Sequence, residues 1–308
     1  MKILFVIKDV EYIDPMGIML LSALAKRKGH QCGLAVLANG DLRQAAERFK
    51  PDVVAYSAKT GEHKYYIAAN ELIKRMDSKI FTVIGGPHAT FFPETVLSHP
   101  FDALCMGEGD DAWPELLDAI EKKGNVNGIP NIVTKENFPR DGRPLLRPKR
   151  GRLDDLPFLD RELVYSTTRL GRFPMRSFML SRGCPYKCTY CFNRTYNMLY
   201  KSNGPLHVRM SVDRVVAELK ELKERYETQF IKFYDDIFVL KDDEWLDEFS
   251  SKYSKEVGVP FHCLMRANLL TEDIVLKLKK AGLASISMSI ESGNERVRNQ
   301  ILKRNMTR

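Results

Sequence analysis

No apolar run in this sequence is long enough for a signal peptide or a membrane span: Ile3 to Ile7 stops at Lys8 and Asp9, and the run from Gly17 to Ala25 is broken by Ser22. A disulfide framework is missing too. The six cysteines stand as three isolated residues, Cys32, Cys105 and Cys263, and one cluster, Cys184, Cys188 and Cys191. Without an export signal the chain is expected in the reducing cytoplasm, where clustered thiols serve metal or redox chemistry. Charge of one sign is also scarce outside a single place. Of the net charge of +8, five units lie between Pro139 and Arg152, where Arg140, Arg143, Arg147, Lys149, Arg150 and Arg152 face Asp141 alone. Such a run is more often a solvated connector than a binding stripe, so nucleic acid is not an expected partner. With 44% hydrophobic residues, wholesale disorder is excluded.

What the sequence does have is alternation. Over residues 1–135, β-rich runs at Lys2 to Ile7, Gln31 to Val36, Asp52 to Tyr56, Lys79 to Ile84 and Phe101 to Cys105 alternate with amphipathic stretches such as Gly17 to Lys28 and Glu62 to Met76. That pattern predicts a doubly wound, Rossmann-like α/β domain whose ligands sit outside the carboxyl ends of its strands. Residues 136–172, rich in Pro, Gly and Arg, read as a connector. From 173 to 308 the alternation resumes with strands at Met175 to Ser181, Phe230 to Tyr234, Pro260 to Met265 and Ala284 to Ile290. Ser211 and Thr271 are placed to cap intervening helices, and Gly282 to end the second. These make about four βα units. In the last strand Ala284, Ile286, Met288 and Ile290 alternate with Ser285, Ser287, Ser289 and Glu291. The apolar set is expected to face helices and the polar set a lumen with room for a polar ligand; an edge strand facing water is the alternative.

The strongest signal is Cys184-Pro-Tyr-Lys-Cys188-Thr-Tyr-Cys191, just past a predicted strand end, a spacing expected by chance roughly 0.002 times in such a chain. Three thiolates can hold three corners of an iron–sulfur cube and leave the fourth iron open, whereas a purely electron-transferring cluster takes four cysteines. A zinc site would need a fourth ligand such as His207 or Cys263, and no second cysteine pair accompanies the cluster.

Ser181-Arg182-Gly183-Cys184-Pro185 and the CxxxCxxC spacing resemble the radical S-adenosylmethionine (radical SAM) superfamily. The resemblance implies a [4Fe-4S] cluster on Cys184, Cys188 and Cys191, whose open iron takes the amino and carboxylate groups of SAM. It also implies one-electron cleavage to methionine and a 5′-deoxyadenosyl radical, with a reductant such as flavodoxin or ferredoxin as partner. By the same resemblance the strand-end residues Asp235, Asp236, Arg266, Glu291 and Ser292 contact SAM. Glu291 would accept from its ribose, Arg266 would meet its carboxylate, and Phe192 would pack near adenine. Each has a plainer reading as a helix cap, an ion-pair partner or core packing.

Val83-Ile84-Gly85-Gly86-Pro87-His88-Ala89 and Met106-Gly107-Glu108-Gly109-Asp110 are similar to loops of the cobalamin-binding domains that precede radical SAM barrels. On that likeness Gly85, Gly86, Pro87, His88, Gly107, Glu108 and Gly109 line a cobalamin site, the glycines letting a bulky ligand approach the backbone. The implied activity is a cobalamin-dependent radical SAM enzyme, most commonly a methyltransferase. The rivals are a radical SAM enzyme without bound cobalamin, and an iron–sulfur or zinc protein that binds nucleic acid through the basic run. Two departures stand out. No Asp-x-His-x-x-Gly occurs, and Asp9 to Gly17 holds no histidine, so cobalt is expected to lack a histidine ligand. And four units fall short of the superfamily's usual six, so the barrel is expected to be C-terminally incomplete or completed by a partner.

Overall fold

A computed structural model describes residues 1–306 except 11, 140, 142, 143 and 202. Arg140 and Arg143 of the basic run therefore lie outside the described residues. The chain divides into two compact units, one of residues 1–147 and 156–172, the other of 148–155 and 173–308. The stretch 136–172 is thus shared between the two bodies.

In the first unit the order of strands is β2-β1-β3-β4-β5-β6, from Lys2–Ile7 (β1), Gln31–Val36 (β2), Val53–Ser57 (β3), Phe81–Gly85 (β4), Ala103–Cys105 (β5) and Ile132–Val133 (β6). The first five are parallel, and only the short β6, which the alternation did not signal, runs antiparallel to β5. Ile3, Leu4, Phe5 and Val6 of β1 are buried, as a central parallel strand covered on both faces requires. The order reverses between β1 and β3, and such a reversal leaves a crevice for ligands at the strand ends. Residues 156–172 pack on this unit. Arg161 and the Tyr165 hydroxyl both donate to the Asp14 carboxylate at 2.8 Å, and all three side chains are buried.

The second unit holds a parallel sheet ordered β12-β11-β10-β7, from Met175–Phe178 (β7), Phe230–Phe233 (β10), Phe261–Arg266 (β11) and Leu283–Ser289 (β12), beside an antiparallel pair of Ser181–Arg182 (β8) and Val208–Arg209 (β9). The run expected as one strand from Met175 to Ser181 is therefore broken after Phe178. Its cause is Asp235, just past β10, whose carboxylate accepts from the Leu180 and Ser181 amides and from the Ser181 hydroxyl. Helices Val212–Arg225 and Glu272–Ala281 begin where expected. The Ser211 and Thr271 hydroxyls accept from Arg214 N and Ile274 N, and Gly282 closes the second helix at φ 115°. Phe233 centres the core, with Phe178, Phe238 and Phe261 at ring separations of 4.8–5.9 Å.

β12 corrects the lumen expectation. It lies at the sheet edge, paired only with β11 among the described residues, and both its alternating sets are open: Met288 is 59% and the neighbouring Ile290 54% exposed, while Ser285, Ser287 and Ser289 are exposed too. An uncovered edge with apolar side chains recruits other strands. The 308-residue chain is therefore expected to self-associate in light scattering, and Ile290→Lys to reduce that. A wild-type chain that stays monomeric across concentrations contradicts this.

Among the described residues no helix is long and apolar enough to cross a membrane. The described members of the basic run are engaged. Arg147 pairs with Glu115 at 2.7 Å, Arg152 with Asp155 at 2.9 Å, and the buried Lys149 donates to Asn197 at 2.8 Å. That leaves little of the run as a free basic stripe.

Candidate active site

The three clustered cysteines follow β8. Gly183 makes the entry turn possible: it sits at φ 83°, and a side-chain carbon there would come 2.4 Å from the Leu206 carbonyl oxygen. Cys184 and Cys188 are buried and Cys191 half-buried, the last immediately preceding helix Phe192–Leu199. Burial pushes the Cys184 thiol up to about 11, so it is a poor thiolate until positive charge or metal compensates. Such charge is close. Arg266, ending β11 and 5% exposed, donates from one terminal nitrogen to the Cys188 sulfur at 3.4 Å. Its other terminal nitrogen donates to the Arg304 carbonyl, its Nε meets Asn268 Oδ1 at 3.4 Å, and it stacks 3.6 Å above the Tyr186 ring. No carboxylate pairs with it among the described residues, so the ion-pair reading fails.

A buried guanidinium without an acid is costly unless an anion meets it. A [4Fe-4S] cluster with three thiolates is such an anion, and the soft sulfur donors suit iron. In that sense the residues fit the cluster. The described residues hold no group of three or more histidine, cysteine or acidic side chains placed around a single ion.

The two adjacent acids part company. Asp235 is fully buried, its Oδ1 taken by the Leu180 and Ser181 bonds, and burial raises its pKa to about 7. It braces the loop from within and is not available to SAM, which corrects that expectation. Asp236 keeps an exposed surface yet its carboxyl is shielded enough to be raised above the usual range, burial outweighing bonds from the Asn193 side chain and the Gly183 amide. It therefore lies directly beside the cysteine loop.

Glu291 adopts φ 69°, in the left-handed region, and accepts from Ser289 at 2.7 Å. The Ser289 and Tyr190 bonds and the Arg304 charge 3.8 Å away lower its pKa. Arg304 in turn donates to the Tyr190 hydroxyl at 2.9 Å, tying the end of β12 to the cysteine loop. Ser292 is a turn residue instead of a free ligand, its hydroxyl accepting from Asn294 N at 3.1 Å. Phe192 is 56% exposed, open to a planar ligand. Tyr186, Tyr190, Asn193 and Arg304 escaped the sequence reading, because each meets the site through a contact distant in sequence or across a helix turn.

In the first unit a cavity of about 340 Å³ opens beyond the ends of β1 and β3, at the reversal of strand order, lined by Ile7, Asp9, Ile13, Ser57, Lys59 and Pro87 among others. Of the seven residues expected at cobalamin only Pro87 reaches it. Gly86, at φ 89°, is required for another reason: a side-chain carbon there would lie 2.9 Å from Ala58 N, so the close approach is of backbone to backbone. Gly85 precedes this turn. Gly107, Glu108 and Gly109 form the half-buried loop after β5, where the Gly107 amide donates to Thr90. His88 turns away to a second cavity, its ring stacked between His63 at 4.1 Å and Phe92 at 5.1 Å.

Residues 4–117 match the B12 binding domain family, and residues 178–308 match the Radical SAM superfamily. The chain is 29% identical, over 96% of its length, to an uncharacterised methyltransferase of Pyrococcus horikoshii, and 26% identical over 91% to the hopanoid C-3 methylase of Methylococcus capsulatus. In fold it is similar to the radical SAM methyltransferase TsrM of Kitasatospora setae, with a TM-score of 0.75 at 17% identity over 96% of the chain. It spans 67%, 54% and 60% of the lengths of these three proteins.

Proposed function

We propose a reaction for this chain from the premise that it belongs to the radical SAM superfamily and carries a B12-binding domain ahead of its radical SAM domain. Cys184, Cys188 and Cys191 hold a [4Fe-4S] cluster, Asp236 and Glu291 orient SAM over it, and the cavity beyond β1 and β3 takes part of a cobalamin. When bound, the cluster supplies an open iron and one electron for cleavage of SAM, and cobalamin supplies a carrier for a methyl group destined for an unactivated carbon. The chain's own contribution is placement: Arg266 offsets the charge of the sulfur cradle, and the buried Asp235 fixes its entry strand. Methyl transfer is favoured by the names of these similar proteins, two of which are methyltransferases and the third a methylase.

One observation supports the reading most: a buried, acid-free guanidinium pointing at a loop of three cysteines. To test it, the anaerobically reconstituted protein is reduced by flavodoxin or dithionite with SAM, and products are quantified. 5′-Deoxyadenosine or S-adenosylhomocysteine formation that depends on the cluster is expected, with cobalamin co-purifying. Absence of both products from a fully loaded protein overturns the proposal.

Cobalt is expected to carry no histidine. The loop from Asp9 to Gly17 contributes Asp9, Ile13 and Pro15 to the cavity and contains no imidazole, and His88 is held in its own stack. Electron paramagnetic resonance of the cobalt(II) form, compared between unlabelled and ¹⁵N-histidine protein, should show no change in nitrogen splitting. A label-dependent splitting contradicts this.

A further inference from the structure

We infer that Arg266 is a positioning residue that sets the reduction potential of the cluster through its hydrogen bond to the Cys188 sulfur. The inference rests on the proposed [4Fe-4S] site and goes beyond it, because the family resemblance gives Arg266 a different partner, the carboxylate of SAM.

The geometry is specific. Four restraints act on the guanidinium: the Tyr186 face at 3.6 Å, Asn268 Oδ1 at 3.4 Å from Nε, the Arg304 carbonyl at one terminal nitrogen and Cys188 Sγ at 3.4 Å from the other. With 5% of its surface exposed, it has little water to screen it, and no carboxylate neutralises it among the described residues. A fork held on so many sides points its donor at one atom without paying for reorganisation.

A cluster on three thiolates is already negative, and reduction adds one more negative charge. An N–H donor and a fixed positive charge at a ligand sulfur therefore stabilise the reduced form more than the oxidised one. The midpoint potential should be higher with Arg266 than without it. That matters because the reductant must supply the electron that cleaves SAM.

The test is a potentiometric titration of the reconstituted protein without SAM, followed by electron paramagnetic resonance of the reduced cluster. In Arg266→Met the midpoint should fall by about 59 mV or more, a tenfold change in a one-electron equilibrium, with iron content unchanged. Arg266→Lys, which keeps the charge and loses the fork, should fall less. Tyr186→Leu, which removes only the supporting ring, should shift the midpoint in the same direction. An unchanged midpoint in fully loaded Arg266→Met overturns the inference, as does a loss of SAM affinity with the midpoint unmoved, which would return Arg266 to the SAM carboxylate. Should Arg266→Met fail to load iron, an unchanged midpoint in Tyr186→Leu overturns it. A wild-type protein that assembles no four-iron cluster overturns the cofactor assignment and this inference with it, and that is seen before any substitution is made.

Discussion

Alanine at Cys184, Cys188 or Cys191 is expected to leave the reconstituted protein without its four-iron cluster, whereas alanine at Cys263 leaves iron and sulfide content unchanged. The first three share one loop after β8, with Arg266 over Cys188 to offset charge. Cys263 is different. It is fully buried in the middle of β11, and burial holds its thiol up at about 12, so it stays protonated. A thiol must ionise to ligate iron, and here burial and the nearby Asp235 charge both oppose ionisation. Loss in the loop variants should be near complete, because a cube short of one of three protein ligands has two open irons and falls apart. Equal loss in Cys184→Ala and Cys263→Ala, measured as iron and sulfide after anaerobic reconstitution, would point to a four-cysteine site and remove the open iron.

The second large effect is expected at Asp235. Its carboxylate is the partner of two buried amides and one hydroxyl, and alanine there orphans the Leu180 and Ser181 amides at a cost of about 2–6 kcal/mol. β8 should then lose its anchor and cluster loading should drop. Asparagine keeps the accepting oxygen, and Oδ2 of Asp235 has no partner to lose, so Asp235→Asn should preserve both. Wild type and Asp235→Asn also differ in pH behaviour. With a pKa raised by burial to about 7, Asp235 binds its proton more tightly folded than unfolded, where the value is 3.8. Its contribution to stability is present below about pH 4 and is lost as pH rises through about 7; Asp235→Asn should abolish that slope. Amide exchange at Leu180 and Ser181 is the readout, fast in Asp235→Ala and wild-type-like in Asp235→Asn. Wild-type protection in Asp235→Ala would contradict the account.

Much of this was legible in the sequence. The parallel strands of both units and the caps at Ser211, Thr271 and Gly282 follow from apolar periodicity and local hydrogen-bonding chemistry, which act over a few residues. The cysteine loop was legible because its ligands are close in sequence. What escaped depends on contacts distant in sequence. Asp235 and Asp236 look alike as neighbours, although the period of two that buries Ile231 and Phe233 already places Asp235 on the inward side. No local pattern reports that Arg304 reaches back to Tyr190, or that Arg266 chooses a sulfur over an acid. In sequence Gly86 suggests room for a ligand, but a side-chain carbon there would meet the backbone of Ala58. His88, equally, is grouped by sequence with the glycine loop but is placed by its stack with His63.

The central claim is that an iron left open by Cys184, Cys188 and Cys191 takes SAM directly. Electron–nuclear double resonance on the reduced, reconstituted protein with SAM labelled at the methionine carboxylate and amino nitrogen tests it at the atoms concerned. Hyperfine coupling from both labels to the cluster is the predicted result. A four-iron cluster whose spectrum is unchanged by saturating SAM, with no coupling to either label, would contradict it.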